Sequence, residues 1–209
     1  LELPGAKSLP VKPETIDALA DSLEGQVNLT PNWISATVYQ RVANKLATEA
    51  IEDQRLDFED GYGARANEEE DGHAISAAME LAGGVKENLL PPFIGIRIKS
   101  LTEETKRRSI RTLDLFLSTF ADQGVSLPDP FFITLPKVTS PEQVSALLTC
   151  VELLEERCAF PEGHIKIELM IETIQSIISP DGVNGIPALI AAGKGRVTSA
   201  ILGTFDYTA

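Results

Sequence analysis

The chain has 209 residues, of which 43% are hydrophobic, and this is enough for one sizeable hydrophobic core. Its formal net charge of -13 argues against general binding to nucleic acid or to an anionic membrane, because either partner requires clustered Lys and Arg. A small-molecule partner fits this charge better. Two cysteines, Cys150 and Cys158, are too few for a disulfide framework. The sequence shows no apolar span of about 20 residues and no signal-peptide pattern, so we expect a cytoplasmic location, with an organelle matrix as the alternative.

Residues 1–53 are predicted to form an N-terminal segment of short helices and irregular chain. Prolines interrupt its helical pattern before a convincing helix over residues 34–52; they are Pro4, Pro10, Pro13 and Pro31. The stretch GAKS at residues 5–8 lacks the spacing of a phosphate-binding loop and is interpreted as a turn. We assign no function to this segment.

From residue 54 onward, short apolar strands alternate with amphipathic helical stretches, which is the pattern of repeated βα units around a parallel sheet. The predicted strands are 55–59, 93–98, 131–135, 165–171 and 198–205. The predicted fold is therefore α/β, a (β/α)8 TIM barrel. Because five strands do not close an eight-stranded barrel, we expect residues 54–209 to be an incomplete portion of one.

Start and stop signals place the helices between these strands. Ser140, Pro141 and Gln143 provide an N-cap, a proline at the first helical position and a capping-box partner, so a helix should begin at Pro141. Thr102, followed by two acidic residues, is predicted to open another helix that stops near Gly124. The acidic run at 68–71 is interpreted as a solvated loop without a role.

The strand predicted at 165–171 alternates with a period of two. Ile165 and Ile167 face one way, whereas Glu168 and Glu172 face the other, where a buried carboxylate needs a cation or hydrogen-bond donors. Asp206 follows the next apolar run in the same manner. Two carboxylates at the ends of neighbouring strands predict a divalent-metal site.

Charged residues close all five predicted strands, as expected of a barrel whose active site gathers at the carboxyl ends of its strands. On the second strand, alternation points Arg97 and Lys99 toward the barrel interior, where anions are required. The charged residues at the strand ends are Asp57, Glu59, Asp60, Arg97, Lys99, Lys137, Glu172 and Asp206.

Five ordered motifs resemble the pyruvate/phosphoenolpyruvate TIM-barrel superfamily, which contains citrate lyase beta-subunits, malyl-CoA lyases, HpcH/HpaI aldolases and malate synthases. The resemblance covers residues 54–209. The motifs are LDFEDG (56–61), GIRIKS (95–100), LPKVTS (135–140), IKIELMIET (165–173) and GTFDYTA (203–209). Each motif is weak alone, and their joint presence in the right order is strong.

The resemblance implies that Glu172 and Asp206 bind Mg²⁺, with Mn²⁺ as an alternative, and that Arg97 grips a substrate carboxylate or enolate oxygen. The implied activity is that of a carbon-carbon lyase or aldolase acting through a metal-stabilised enolate of an oxo-acid or acyl-CoA. A CoA thioester is an alternative substrate, and the resemblance implies a homo-oligomer. Catalytic roles are expected for Asp57 and Asp60 beside Arg97, and substrate contacts for Glu59 and Lys137.

The sequence departs from the patterns of these families at two positions. HpcH/HpaI aldolases place a His where Asp60 stands, which favours the citrate-lyase-like side. Thr139 stands where many citrate-lyase-like relatives have Glu. Malate-synthase-like condensation is a second enzymatic alternative, although the catalytic Asp of malate synthase lies in a later domain.

Less specific interpretations stay open for the same residues. Arg97 can serve as a structural ion-pair partner of Asp57 or Glu59, and Lys137 as a cap at a strand end. The whole domain can be a non-catalytic barrel homologue used for ligand sensing or assembly. Retention of Arg97 together with the two carboxylates favours the enzyme, because a charged trio is costly without its metal.

Overall fold

A computed structural model describes residues 13–209, so the GAKS turn predicted at residues 5–8 lies outside the described residues. The chain divides into two compact units, residues 1–52 and 53–209. Within residues 13–209, no helix combines the length and the apolarity needed to cross a membrane.

The described part of the first unit is helical: α1 (Pro13–Ala20), α2 (Leu23–Asn28) and α3 (Pro31–Thr48). The helix predicted over residues 34–52 therefore begins and ends earlier than expected. Thr30 caps α3 and Pro31 occupies its first turn, where a missing N–H costs nothing, so this proline starts the helix rather than breaking it. The indole N–H of Trp33 donates to the Ala20 carbonyl at 2.8 Å and ties α3 to the end of α1.

The second unit is built on five parallel strands in sequential order: β1 (Asp53–Asp57), β2 (Phe93–Arg97), β3 (Phe131–Leu135), β4 (Ile165–Ile171) and β5 (Val197–Leu202). The prediction of an α/β fold with a parallel sheet is confirmed. Within the described residues, β1 and β5 form the two edges of the sheet. Closure into a barrel stays a prediction.

Three predicted strands differ from the observed ones. β1 lies two residues earlier than expected, β2 ends at Arg97 rather than at residue 98, and the last strand ends at Leu202 rather than at Phe205. β5 stops because its neighbour β4 ends at Ile171, which pairs with Leu202. The Gly203 N–H makes the last backbone hydrogen bond to β4, donating to the Ile171 carbonyl at 3.0 Å. Residues Thr204–Thr208 then form a short helix in which their hydrogen bonds are local.

Six helices connect or follow the strands: α4 (Asn67–Glu87), α5 (Lys106–Ala121), α6 (Pro141–Arg157), α7 (Ile174–Ile177), α8 (Ile186–Ala192) and α9 (Thr204–Thr208). The predicted start of α6 at Pro141, with Ser140 and Gln143 forming a capping box, is confirmed. The predicted start at Thr102 is wrong. Thr102 lies in a turn, and α5 begins at Lys106 after the N-cap Thr105, whose hydroxyl donates to the Ser100 carbonyl at 2.7 Å.

The interpretation of residues 68–71 as a solvated loop is also wrong. They form the first turn of α4, where acidic side chains favour the helix dipole. Glu70 is buried, and it has the partners that burial requires: Lys99 at 2.9 Å, Arg108 at 3.3 Å and the Thr112 hydroxyl at 2.6 Å. This cluster joins α4 and α5 to the end of β2.

The hydrophobic core lies between one face of the sheet and helices α4 to α6. The predicted alternation on β4 is confirmed, since Ile165, Ile167 and Leu169 are buried in this core. The other face of the sheet is polar: Glu168 accepts bidentate hydrogen bonds from Arg55 at 3.0 and 3.1 Å. The hydroxyls of Thr134 and Ser199 also donate to Glu168, so its charge is fully compensated.

Gly95 lies at the centre of β2 and pairs with Phe132 of β3. A Cβ at this position would collide with the backbone carbonyl of Phe132 on β3, so Gly95→Ala requires the two strands to move apart. We expect Gly95→Ala to lower the free energy of unfolding by about 3 kcal/mol, measured by urea denaturation with circular dichroism.

Gly83→Ala is the matched control for Gly95→Ala. Gly83 lies inside α4, and a Cβ there meets no heavy atom within 4 Å, so this change should stabilise the protein by about 0.5–1 kcal/mol. Equal stabilities of the two variants would contradict the close approach of β2 and β3.

Candidate functional site

An open cavity of about 660 Å³ lies at the carboxyl ends of the strands, where α/β folds place their active sites. Its lining is charged on one side and apolar on the other. The lining residues are Asp60, Arg97, Lys137, Met170, Glu172, Leu202, Gly203, Thr204, Phe205 and Asp206.

Arg97, the last residue of β2, is held by Asp57, the last residue of β1. The two residues are register partners in neighbouring strands, and the Arg97 Nε and Nη2 atoms donate to the Asp57 carboxylate at 2.7 and 2.5 Å. Burial alone would raise the pKa of Asp57, but the hydrogen bonds from Arg97 and from the Glu59 and Gly61 amides lower it. Asp57 therefore orients Arg97, as one of the open interpretations had it.

The third nitrogen of the Arg97 guanidinium, Nη1, is the one that Asp57 does not bind. It lies 3.7 Å from the Glu59 carboxylate and 3.7 Å from the Met170 sulfur. Because Arg97 also lines the cavity, this nitrogen is available to an anion bound there.

Glu59 and Asp60 form a carboxyl pair in the turn after β1. The Asp60 amide donates to the Glu59 carboxylate at 2.9 Å. Burial and the neighbouring Asp60 raise the pKa of Glu59, whereas hydrogen bonds from Lys137 and Glu59 outweigh burial and lower the pKa of Asp60. Of the two carboxyl groups, Asp60 lines the cavity.

Lys137 stands at the centre of the acidic side of the cavity. Its ammonium lies 2.6 Å from Glu59, 2.7 Å from Asp60 and 2.8 Å from Asp206. Burial would lower the pKa of Lys137, but the hydrogen bonds to these three carboxylates raise it well above its usual range. The Lys137 side chain is therefore held in its protonated form, whereas an amine nucleophile must be neutral.

The backbone of Lys137 is as specific as its side chain. With φ at 48°, the residue adopts the left-handed conformation, which costs a non-glycine residue about 1–2 kcal/mol. This conformation accompanies a 2.6 Å hydrogen bond from the Lys137 N–H to Glu172 Oε1. One lysine thus contacts four carboxylates.

Glu172 follows β4 directly and is 4% exposed. Burial raises the pKa of Glu172, and the nearby charges of Asp206 and Asp60 raise it further. Gly203 permits the close approach of β5 here, since a Cβ at residue 203 would lie 2.5 Å from Glu172 Oε2. A buried carboxylate beside other carboxylates is a site at which an added cation is favourable.

Asp206 reaches the cavity from α9, not from the end of a strand as predicted. α9 begins at Thr204, directly after the end of β5, and Asp206 and Glu172 line the same cavity. Both are hard oxygen donors, and Mg²⁺ typically uses one or two protein carboxylates together with water and substrate oxygens. The two side chains fit this role. Within residues 13–209, no group of three or more His, Cys, Asp or Glu has the arrangement of a metal site.

The cavity unites five of the predicted site residues: Asp60, Arg97, Lys137, Glu172 and Asp206. Asp57 and Glu59 do not line it, and they contact Arg97 and Lys137 instead. Lys99 does not join Arg97 at the cavity. Lys99 follows the end of β2, and its ammonium lies 2.9 Å from Glu70 of α4 and 2.6 Å from the Phe58 carbonyl.

The apolar side of the cavity was not predicted from the sequence. It is formed by Met170, Leu202 and Phe205, and the Phe205 ring is 90% exposed. Met170 was identifiable, because the period of two on β4 places it on the same face as Glu168 and Glu172. Phe205 was not, because it was predicted to be the last residue of the strand at 198–205.

The chain matches one known protein family. The model of a family described as Domain of unknown function (DUF6986) matches residues 6–209. The chain belongs to this family. No curated protein sequence matches this DUF6986 member.

Among solved structures, the DUF6986 chain is similar to a citrate lyase from Burkholderia xenovorans LB400, with 21% sequence identity and a TM-score of 0.49. The match covers 76% of this chain and 48% of the citrate lyase chain. The DUF6986 chain thus spans about half the length of that structure.

Proposed function

We propose that this DUF6986 protein is a Mg²⁺-dependent carbon-carbon lyase or aldolase that acts through the enolate of an oxo-acid. The observation that carries the proposal is the meeting of two metal-type carboxylates, Glu172 and Asp206, with the cation Arg97 in one open cavity at the strand ends. A small anionic substrate with carboxylate and carbonyl oxygens is complementary to this arrangement.

Arg97 binds the substrate carboxylate in this proposal. Its guanidinium is fixed by the bidentate pair with Asp57, so little rotamer freedom is lost when an anion binds. The Nη1 atom does not bind Asp57, its contacts with Glu59 and Met170 are long at 3.7 Å, and Arg97 lines the cavity. Arg97 thereby orients the reacting carbon relative to the acidic side of the cavity.

Glu172 and Asp206 would hold the divalent cation. When bound, the cation polarises the substrate carbonyl and stabilises the negative charge that develops on its oxygen. Mn²⁺ satisfies the same oxygen donors and is the alternative ion.

Asp60 is the proposed proton acceptor. In a retro-aldol cleavage, a base takes the hydroxyl proton, and the carbon-carbon electron pair passes to the oxo-acid fragment as an enolate, which is then protonated at carbon. Asp60 lines the cavity, and, against the effect of burial, the hydrogen bond from Lys137 lowers its pKa, so it is present there as a carboxylate. Asp60 can therefore accept the hydroxyl proton and return it in the second step.

The test is the exchange of substrate protons with solvent deuterium. We expect the protein to catalyse the loss of the methyl proton signal of pyruvate in D₂O with Mg²⁺, and to lose this activity with EDTA. Oxaloacetate and acetyl-CoA are assayed in parallel, because a CoA thioester is the alternative substrate. Absence of Mg²⁺-dependent exchange with all three compounds would contradict the proposal.

A non-catalytic role in ligand binding is the second candidate. It is favoured by the internal pairing of both cations, since Arg97 is held by Asp57 and Lys137 by three carboxylates. This candidate predicts binding of an oxo-acid without deuterium exchange. A calorimetric titration with the oxo-acid, together with the exchange measurement, therefore distinguishes the two candidates.

A further inference from the structure

The acidic side of the cavity has more negative charge than its internal cation neutralises. Glu59, Asp60, Glu172 and Asp206 all contact Lys137, and four carboxylates against one ammonium leave a formal excess of three negative charges. The Asp57–Arg97 pair is neutral as a whole and does not alter this excess. A further cation is therefore attracted to the side of the cavity on which Lys137 already stands.

The three contacts of the Lys137 ammonium are not equivalent. Glu59 is buried, whereas the Asp60 and Asp206 side chains are 55% and 37% exposed. Glu59 and Asp60 are adjacent residues in the turn after β1, whereas Asp206 belongs to a separate element, the short helix α9. Lysine carries its charge on a flexible four-carbon stem and tolerates a change of partner. The ammonium can therefore keep its two contacts in the turn after β1 when its contact with α9 is released.

We infer that Lys137 is an internal counter-ion that competes with the divalent cation for Asp206. Without a cation, the ammonium neutralises part of the charge on the acidic side and holds α9 over the cavity. Binding of a cation by Asp206 requires the Lys137–Asp206 contact to break, and Lys137 then remains on Glu59 and Asp60. This inference rests on the proposed metal site, and Lys137 is a positioning residue in it.

Removal of the Lys137 charge tests the competition. We expect Lys137→Met to bind Mn²⁺ about tenfold more tightly than the wild type in calorimetric titration, because the competing charge is gone. In metal-free buffer the same variant should melt at a lower temperature, and Mn²⁺ should restore its stability. Lys166→Met is the control, since Lys166 lies at the amino end of β4, where its ammonium donates to the Gly163 carbonyl at 2.7 Å, and the Mn²⁺ affinity of this variant should not change.

A supporting scaffold role for Lys137 predicts the opposite result. If folded Lys137→Met binds Mn²⁺ equally or more weakly than the wild type, the competition is overturned while the metal site stands. If neither protein binds Mn²⁺, the metal site itself is overturned. Tight binding by the variant alone supports the competition in its strongest form.

A second measurement uses the wild-type chain, in case Lys137→Met does not fold. The rate at which an amine-acylating reagent labels Lys137 is followed by mass spectrometry with and without saturating Mn²⁺, with Lys166 as the internal reference. Release from Asp206 should increase labelling of Lys137 relative to Lys166. Unchanged relative labelling at saturation would overturn the competition.

Discussion

Glu172→Gln is expected to reduce Mg²⁺-dependent deuterium exchange of pyruvate by at least about 100-fold, the scale on which loss of one charge-stabilising group acts in active sites. The substitution removes the charge of the carboxylate that is most buried in the cavity and keeps the size of the side chain. Its Oε1 position can still accept the hydrogen bond from the Lys137 amide, so the loop at 137 keeps its conformation. Proton NMR of the substrate in D₂O measures the rate.

Glu162→Gln is the matched control, because Glu162 is an exposed carboxylate in the turn before β4, at the opposite end of the strand. The Glu162→Gln variant should catalyse the deuterium exchange of pyruvate at the wild-type rate. Circular dichroism verifies that both variants are folded. Wild-type exchange by folded Glu172→Gln would remove this residue from the reaction.

Glu155→Ala is expected to cause the largest loss of stability, about 4 kcal/mol in the free energy of unfolding. Glu155 of α6 is 3% exposed and accepts two hydrogen bonds of 2.7 Å from Arg196, at the start of β5. It also accepts from the amides of Ile165 at 2.8 Å and Gly163 at 3.1 Å. The substitution leaves the Arg196 charge and these amides without their acceptor. Urea denaturation followed by circular dichroism measures the effect, since Trp33 reports on the first unit.

Glu156→Ala controls for helix propensity at the neighbouring exposed position and should change stability by less than about 0.5 kcal/mol.

The contribution of Glu155 to the free energy of unfolding also depends on pH. Burial alone would raise the pKa of Glu155, but Arg196 and the two amides lower it below the model-compound value of 4.5. The stability it adds is therefore present above that value and is lost as the pH falls through the lower pKa of the folded state. We expect the free energy of unfolding of Glu155→Ala to fall less steeply at acid pH than that of the wild type. Equal pH profiles of the two proteins would contradict this contribution of Glu155.

The parts of the fold that could be predicted from the sequence are those with strong local signals. The bounds of β3 and β4 follow from buried apolar runs between turn residues, and α6 begins where its capping box predicts. Errors arose where tertiary partners decide the structure. Glu70 is helical and buried because Lys99, Arg108 and Thr112 surround it, and no local pattern reports those partners.

The candidate site divides in the same way. Period-two alternation on a parallel sheet is sufficient to bring Arg97 and Glu172 to one end of one face. The convergence of four carboxylates on Lys137 could not be predicted, because it depends on a left-handed backbone at that residue and on the turn of α9 after β5. Both features are set by three-dimensional contacts between segments that are far apart in the chain.

The most direct test of the proposed metal site is a calorimetric titration of the wild type with Mg²⁺, with and without oxaloacetate. The same titration is made with a Glu172→Gln/Asp206→Asn double variant. We expect the wild type to bind Mg²⁺, oxaloacetate to tighten this binding, and the double variant to lose it. No binding by the wild type, or equal binding by the double variant, would contradict the metal site and leave carboxylates whose role is structural.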